Sequence, residues 1–216
     1  MDMETNRIEN NQVTISGKIV SNFEFSHETF GEGFYTAQLS SERESGTEDI
    51  IPIMVSDRLV DVKADWIGQF VRISGQFRSY NKREEKHNRL VLSVFVREFE
   101  VWDDDGTIKP IDENNASFDG CICKQPTHRK TPLGREIADI LLAVNRPYGK
   151  SDYIPCICWG RNARYADQFE VGTHIQLWGR IQSREYQKRI GEDEFETRTA
   201  YEVSISKLKV VEETEE

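Results

Sequence analysis

One spacing constrains this chain more than any other feature. Gly17, Gly31, Asp49 and Pro52 recur at Gly120, Gly134, Asp152 and Pro155, each shifted by 103 positions. After one inserted residue, Gly75 matches Gly179. Apolar residues keep the same register: residues 51–55 (IPIMV) lie over 154–158 (IPCIC), and 71–75 (VRISG) over 175–179 (IQLWG). Glycine, aspartate and proline at one common offset mark a duplicated unit, and each copy must then supply a core of its own. The copies run 11–102 and 116–211 in a chain of 216 residues, each the size of a small domain. Residues 103–115 open with Asp103-Asp104-Asp105-Gly106 and close with Asn114-Asn115, which reads as an acidic linker. The first ten residues and the acidic stretch 212–216 are expected as tails.

Each copy reads as mostly strand. Residues 13–19, 175–181 and 201–205 alternate apolar and polar with period two. Gly31-Glu32-Gly33 and Thr131-Pro132-Leu133-Gly134 are turn signals between the first two strands of each copy. Ser56-Asp57 is placed to cap a short helix through Lys63, and the equivalent stretch runs from Asn162 to Phe169. Gly68 and Gly172 then lead into the fourth strand. The expected fold is all-β: two tandem OB-fold barrels, five-stranded and Greek-key, each with a short helix between strands 3 and 4.

Composition narrows the function. With 37% hydrophobic, 31% charged and 10% aromatic residues, the chain is polar yet too aromatic to be disordered. Its longest apolar run, 140–144, is far short of the roughly 20 residues of a membrane helix. The first twelve residues have no apolar segment to act as a secretory signal, and four cysteines are too few for a disulfide scaffold. The expectation is a soluble cytoplasmic protein. The net charge of −10 is unevenly spread: residues 1–115 carry −9, 116–211 carry +3, and 212–216 carry −4. A polyanion would therefore meet the second copy.

Single-stranded nucleic acid asks for flat rings to stack bases on and Lys or Arg along the same path. Period-two geometry puts Tyr153, Pro155, Ile157 and Trp159 on one face of the third strand, with Ile154, Cys156 and Cys158 on the other. On the fourth strand Ile175, Leu177, Gly179 and Ile181 point inward. Trp178, Arg180, Gln182, Arg184 and Tyr186 point outward, and Lys188 and Arg189 extend the row toward a hairpin tip at Gly191. Arg161 and Arg164 follow Trp159, while Lys124, Arg129, Lys130 and Arg135 surround the first hairpin. Trp178 suits stacking and a buried contact between barrels equally well. In the first copy Ile50, Ser56 and Ser74 replace Tyr153, Trp159 and Trp178, and Arg72, Arg78, Tyr80, Lys82 and Arg83 form a weaker row. Phe23, Phe25, Phe30, Phe34 and Tyr35 cluster in its first hairpin, suited to packing, subunit contact or stacking.

The C-x-C pairs Cys121/Cys123 and Cys156/Cys158 lie on strands, whereas structural zinc sites use C-x₂₋₄-C on a turn, so they read as buried small hydrophobes. His27, His87, His128 and His174 show no ligand spacing. With no phosphate-binding loop, dinucleotide fingerprint or nucleophile elbow, no metal, cofactor, small-molecule substrate or catalysis is expected.

The second copy resembles the bacterial single-stranded DNA-binding proteins. The resemblance is carried by 140–146 (ILLAVNR), 151–161 (SDYIPCICWGR), the helix 162–169, 172–181 (GTHIQLWGRI) and the closing strand 199–205. It implies base stacking on Tyr148, Tyr153, Trp159 and Tyr186, and phosphate contacts from Arg184, with Gln182 where the family carries charge. The expected interface is Tyr148, Lys150, Tyr153, Trp159, Arg161, Arg164, Trp178, Arg180, Arg184, Tyr186, Lys188 and Arg135. The resemblance further implies single-stranded DNA as partner, in replication, recombination or repair, and a homodimer presenting four OB-folds. The family's acidic tail ends in an apolar tip; here 211–216 (VEETEE) lacks it, so recruitment of protein partners is not implied. Two other functions fit these residues, an OB-fold protein-interaction module and an RNA-binding protein.

Overall fold

The computed structural model describes residues 9–83, 88–102, 112–191 and 194–212. His87, residues 103–111 of the expected linker and residues 213–216 of the tail lie outside them. In the first repeat, β1 (Asn11–Ile19), β2 (Glu24–Thr29), β3 (Glu32–Glu42), β4 (Glu48–Ser56), β5 (Phe70–Arg83) and β6 (Asn88–Val101) follow one another. The second repeat holds β7 (Asn114–Lys130), β8 (Glu136–Arg146), β9 (Lys150–Trp159), helix α1 (Arg161–Ala166), β10 (His174–Arg189) and β11 (Phe195–Val210). β7 thus opens at Asn114, inside the stretch read as linker.

Both repeats close as OB barrels. In the first, β1 pairs with β5 and β3, β5 with β6, and β3 with β4, and the parallel pair β4–β6 completes the ring. The second repeats this as β7–β8–β9–β11–β10–β7, with β9–β11 parallel. The long β7 does by itself what β1 and β2 do together in the first repeat. Alternation fills each interior: Ile15, Leu39, Ile53, Ile73 and Phe77 in one barrel, and Ile122, Leu142, Ile154, Leu177 and Ile181 in the other, are fully buried. The repeated glycines serve closure. A Cβ at Gly17 or Gly120 would run into the carbonyl of Ser40 or Ala143, and one at Gly75 or Gly179 into that of Phe95 or Ser204. The last two sit at register shifts in β5 and β10, where a bulge bends the strand around the barrel.

Two expectations need correction. Helix α1 forms in the second repeat, burying Ala163 and Ala166. In the first, residues 57–69 are successive turns. Asp61 Oδ1 accepts the Lys63 N–H (3.0 Å), so this aspartate bonds backbone that the helix would have used, and beyond it Asp65 Oδ1 accepts the Ile67 N–H (3.2 Å) in a further turn. Trp66 packs edge-on to Phe99 at 5.2 Å in this segment. The cysteines also divide. Cys156 and Cys158 are buried core, whereas Cys121 and Cys123 are half-buried because Gly120 and Ile122 take the inward positions of β7.

The barrels share one sheet. β1 and β7 pair antiparallel from Asn11↔Phe118 to Ile15↔Asn114, with Val13 opposite Ala116 at the centre. Val13 and Ala116 occupy equivalent positions of the duplication, so the two repeats are related by a pseudo-twofold axis through that pair. Polar residues repeat around it. Asn11 exchanges side-chain hydrogen bonds with the Phe77 backbone (2.8 and 2.9 Å), and Asn114 does the same with Ile181 (2.8 and 2.9 Å). The Ser79 N–H donates to Asp152 Oδ1 and the Tyr153 N–H to Ser79 Oγ, both at 2.7 Å. Reciprocally, the Ser183 N–H donates to Asp49 Oδ1 (2.7 Å) and the Ile50 N–H to Ser183 Oγ (3.0 Å). Each barrel's long hairpin therefore reaches across and is held by a buried aspartate of the other.

Candidate nucleic-acid interface

The expected residues fall in three places. The first is the outer face of β9 with its flanks. Pro147, Tyr148 and Gly149 form a 3-10 turn between β8 and β9, and Tyr148 takes a left-handed φ of 66°. A bulky residue is rarely held there, and its ring is thrown fully into solvent. Lys150 begins β9 and is exposed. Tyr153 and Trp159 lie on the same side of the strand, about 20 Å apart at the usual rise per residue. Between them Pro155 is half-buried and Ile157 buried. Arg161 is exposed at the start of α1, separated from the end of β9 by Gly160. Arg164 lies 3.4 Å from Glu136, and Arg135 is exposed in the turn whose Thr131 hydroxyl accepts its N–H.

The second place is the projecting hairpin of β10 and β11, where Tyr186 faces Arg198 and Lys188 faces Glu196. Arg184 is half-exposed and lies 3.6 Å from Glu202, a nearly buried carboxylate that also accepts a hydrogen bond from Gln182 at 2.8 Å. The cationic row therefore carries an acid that its own strand did not reveal.

The third place is the seam between repeats, and it takes two expected residues out of the open face. Half-buried Trp178 lines a cavity of about 290 Å³ with Gln12, Thr14 and Ser117, and Lys207 Nζ lies 5.0 Å above its ring. Arg180 lies 3.4 Å from the buried Asp49, which also holds Arg43 in a bidentate pair at 2.6 and 2.7 Å. Burial lowers the Arg180 pKa, aided by nearby Arg43 and opposed by Asp49. Around the first hairpin, Arg129 pairs with Asp139 at 2.8 Å. What remains open is a set of rings, Tyr148 at 100%, Tyr153 at 41%, Trp159 at 39% and Tyr186 at 38% exposure, beside Lys150, Arg161 and Arg184.

Single-sequence reasoning missed the seam residues Asn11, Asn114, Arg43, Arg146, Ser79 and Ser183. The signal was available, since Asn11 and Arg43 recur 103 residues later at Asn114 and Arg146, and Ser79 recurs at Ser183 after the insertion.

Two barrels closed around repeated glycines and joined through their first strands make this a tandem OB-fold protein. The model of the single-strand binding protein family matches residues 113–211, nearly the whole second repeat. Single-stranded DNA-binding protein 2 of Listeria innocua is 33% identical over 96 residues, 41% of this chain and 60% of that protein. Single-stranded DNA-binding protein A of Bacillus subtilis is 33% identical over 91 residues, 39% of this chain and 53% of that one. The chain thus spans somewhat over half the length of the curated relatives it matches. The crystal structure of the wild-type single-stranded DNA binding protein from Thermus aquaticus superposes with a TM-score of 0.73 over 95% of each chain, at 18% identity, a likeness of fold. Among the described residues, no helix is long and apolar enough to cross a membrane.

Proposed function

We propose that this protein binds single-stranded DNA without catalysis and with little sequence preference, in the cytoplasm, serving replication, recombination or repair. The observation that carries this is the open set of Tyr148, Tyr153, Trp159 and Tyr186 with exposed Lys150, Arg161 and Arg184 and half-buried Lys188, on the repeat that the single-strand binding protein family model matches. Rings of this kind accept any base face, at about 1–3 kcal/mol per base, and the cations neutralise phosphates. Arg164 and Arg135 lie at the margin of this face. Arg180 and Trp178 support the seam and stand outside it.

The test is quenching of tryptophan fluorescence by oligo-dT and oligo-rU at two salt concentrations. Trp159→Ala should weaken binding by about 1–3 kcal/mol. Arg184→Ala should lower affinity and flatten its salt dependence by about one phosphate contact. Salt-insensitive, unquenched fluorescence would favour a protein-interaction module, and a clear preference for rU would favour RNA. Two copies of this two-barrel chain, presenting four OB-folds, are the proposed assembly.

A further inference from the structure

The duplication repeats the first hairpin of each barrel and reverses its charge. Residues 21–32 hold Glu24, Glu28 and Glu32 and no Lys or Arg. The equivalent residues 124–135, at the same 103-residue offset, hold Lys124, Arg129, Lys130 and Arg135 and no acid. The tips correspond as well: Phe30 precedes Gly31, and its equivalent Leu133 precedes Gly134. Both tip residues are apolar and open to solvent, Phe30 at 100% and Leu133 at 86% exposure. Phe30 holds a φ of 52°, which costs energy for a bulky residue, and its fully exposed ring offsets none of that cost within the chain.

Each hairpin is braced at its root and uncovered beyond it. All six residues of β2 are exposed, and β2 ends the order of strands in the sheet. Behind it a ladder crosses four strands. The Arg78 guanidinium of β5 lies 3.8 Å over the Phe95 ring of β6, Phe95 is 5.7 Å from Phe34 of β3, and Phe34 stacks on His27 of β2 at 5.0 Å. Glu32 is held by the Ser56 hydroxyl at 2.5 Å and by Arg58 at 3.6 Å. In the second repeat, residues 124–130 pair with β8 beyond the reach of β1 and β10. Arg129 clasps Asp139 there through hydrogen bonds of 2.8 and 3.2 Å. Lys124, Lys130 and Arg135 are exposed. Among the described residues, these three and Glu24 and Glu28 form no ion pair, so their charge is free to meet another surface.

The pseudo-twofold axis puts the two hairpins on opposite sides of the molecule, so they do not meet within one chain. We infer that the acidic hairpin of one copy docks on the basic hairpin of another. Phe30 and Leu133 meet at the centre of the contact, with Glu24 and Glu28 set against Lys124, Lys130 and Arg135. A second copy is the occupant because one chain supplies both halves, at equivalent positions, with equal length and opposite sign. Nucleic acid suits the basic hairpin alone and leaves the acidic one without a role. A contact between unlike surfaces is head to tail, so each copy keeps one hairpin free and growth is open-ended unless the rotation closes a ring. The contact needs no nucleic acid and stands apart from the function proposed above.

The test is sedimentation velocity of the full chain without nucleic acid, over a range of concentrations. It is run at about 0.1 M and about 1 M salt, where charges act over about 10 Å and about 3 Å. At the lower salt the mean size of the wild type should rise with concentration, and at the higher salt that rise should shrink. Two double variants reverse one hairpin each, Glu24→Lys with Glu28→Lys, and Lys124→Glu with Lys130→Glu. All four positions are exposed, so urea midpoints should match wild type. Each variant alone sets like charges against each other and should associate at least about tenfold more weakly. Mixed in equal amounts they should associate again, because each offers the hairpin the other lacks. Phe30→Asn keeps a residue that tolerates positive φ and should weaken association without lowering the urea midpoint. A wild type of one size at all concentrations overturns the inference, and so does a mixture that associates no better than either variant alone. Loss with the Glu24/Glu28 variant only would give the acidic hairpin a different, basic partner, and growth seen only with oligo-dT would give the basic hairpin to DNA. Either result overturns it too.

Discussion

At the scale of single residues, the two seam aspartates are equivalent in sequence and unequal in chemistry. Asp49 is fully buried and accepts from Arg43, Arg180 and Ser183. Removing it in Asp49→Ala leaves two guanidiniums and an amide without their acceptor, and should cost about 3 kcal/mol in urea unfolding. Asp152 has the Ser79 amide and a single longer contact to Arg146 at 3.4 Å. Burial raises its carboxyl pKa in spite of Ser79, Arg146 and Arg78. A raised carboxyl favours the protonated folded state, so this contribution to stability is present at low pH and lost as pH rises through the raised value. Asp152→Asn should therefore cost less than Asp49→Asn, read as the difference in urea midpoints at neutral pH. Cys158 offers a separate check. Burial pushes its thiol from 9.0 to about 12, so over that range the unfolded chain loses a proton that the folded one keeps. Stability should fall across this window, and Cys158→Ala should make the fall shallower.

At the scale of elements, the strands depend on glycine where they bend. Gly179 follows the register shift in β10, with the Ser204 carbonyl filling the space a side chain would need. That contact is backbone, so a methyl there must push strands apart. Gly179→Ala should destabilise the protein by about 1–3 kcal/mol, measured by thermal or urea unfolding. Gly134 and Gly160 have open space around them; their positive φ of 78° and 55°, rather than crowding, explains the glycine. The bends matter for the interface because β10 carries both seam and exterior residues. Trp178, Arg180, Ile181 and Ser183 serve the seam on either side of the bulge, and farther along the strand presents Arg184, Tyr186 and Lys188.

At the scale of the whole molecule, the period-two pattern of 13–19 and 175–181 determined which side chains enter the barrels, and the 103-residue offset determined that there are two of them. These are local or self-referential properties, legible wherever a strand has one dry face. The open rings Tyr153, Trp159 and Tyr186 were legible for the same reason, because outward positions alternate with inward ones. The fate of Trp178 and Arg180 was not. Both point outward as the pattern requires, but whether outward means solvent depends on what the other repeat places there, and that is decided by β1–β7 pairing and by contacts such as Arg180 with Asp49, 131 residues away in sequence. The helix expected after β4 was lost where the Asp61 side chain takes the Lys63 N–H, a local competitor that the capping signal at Ser56-Asp57 did not weigh. The ladder of Arg78, Phe95, Phe34 and His27 likewise draws one group from each of four strands, and strand register across a closed barrel is a property of closure, not of any one segment.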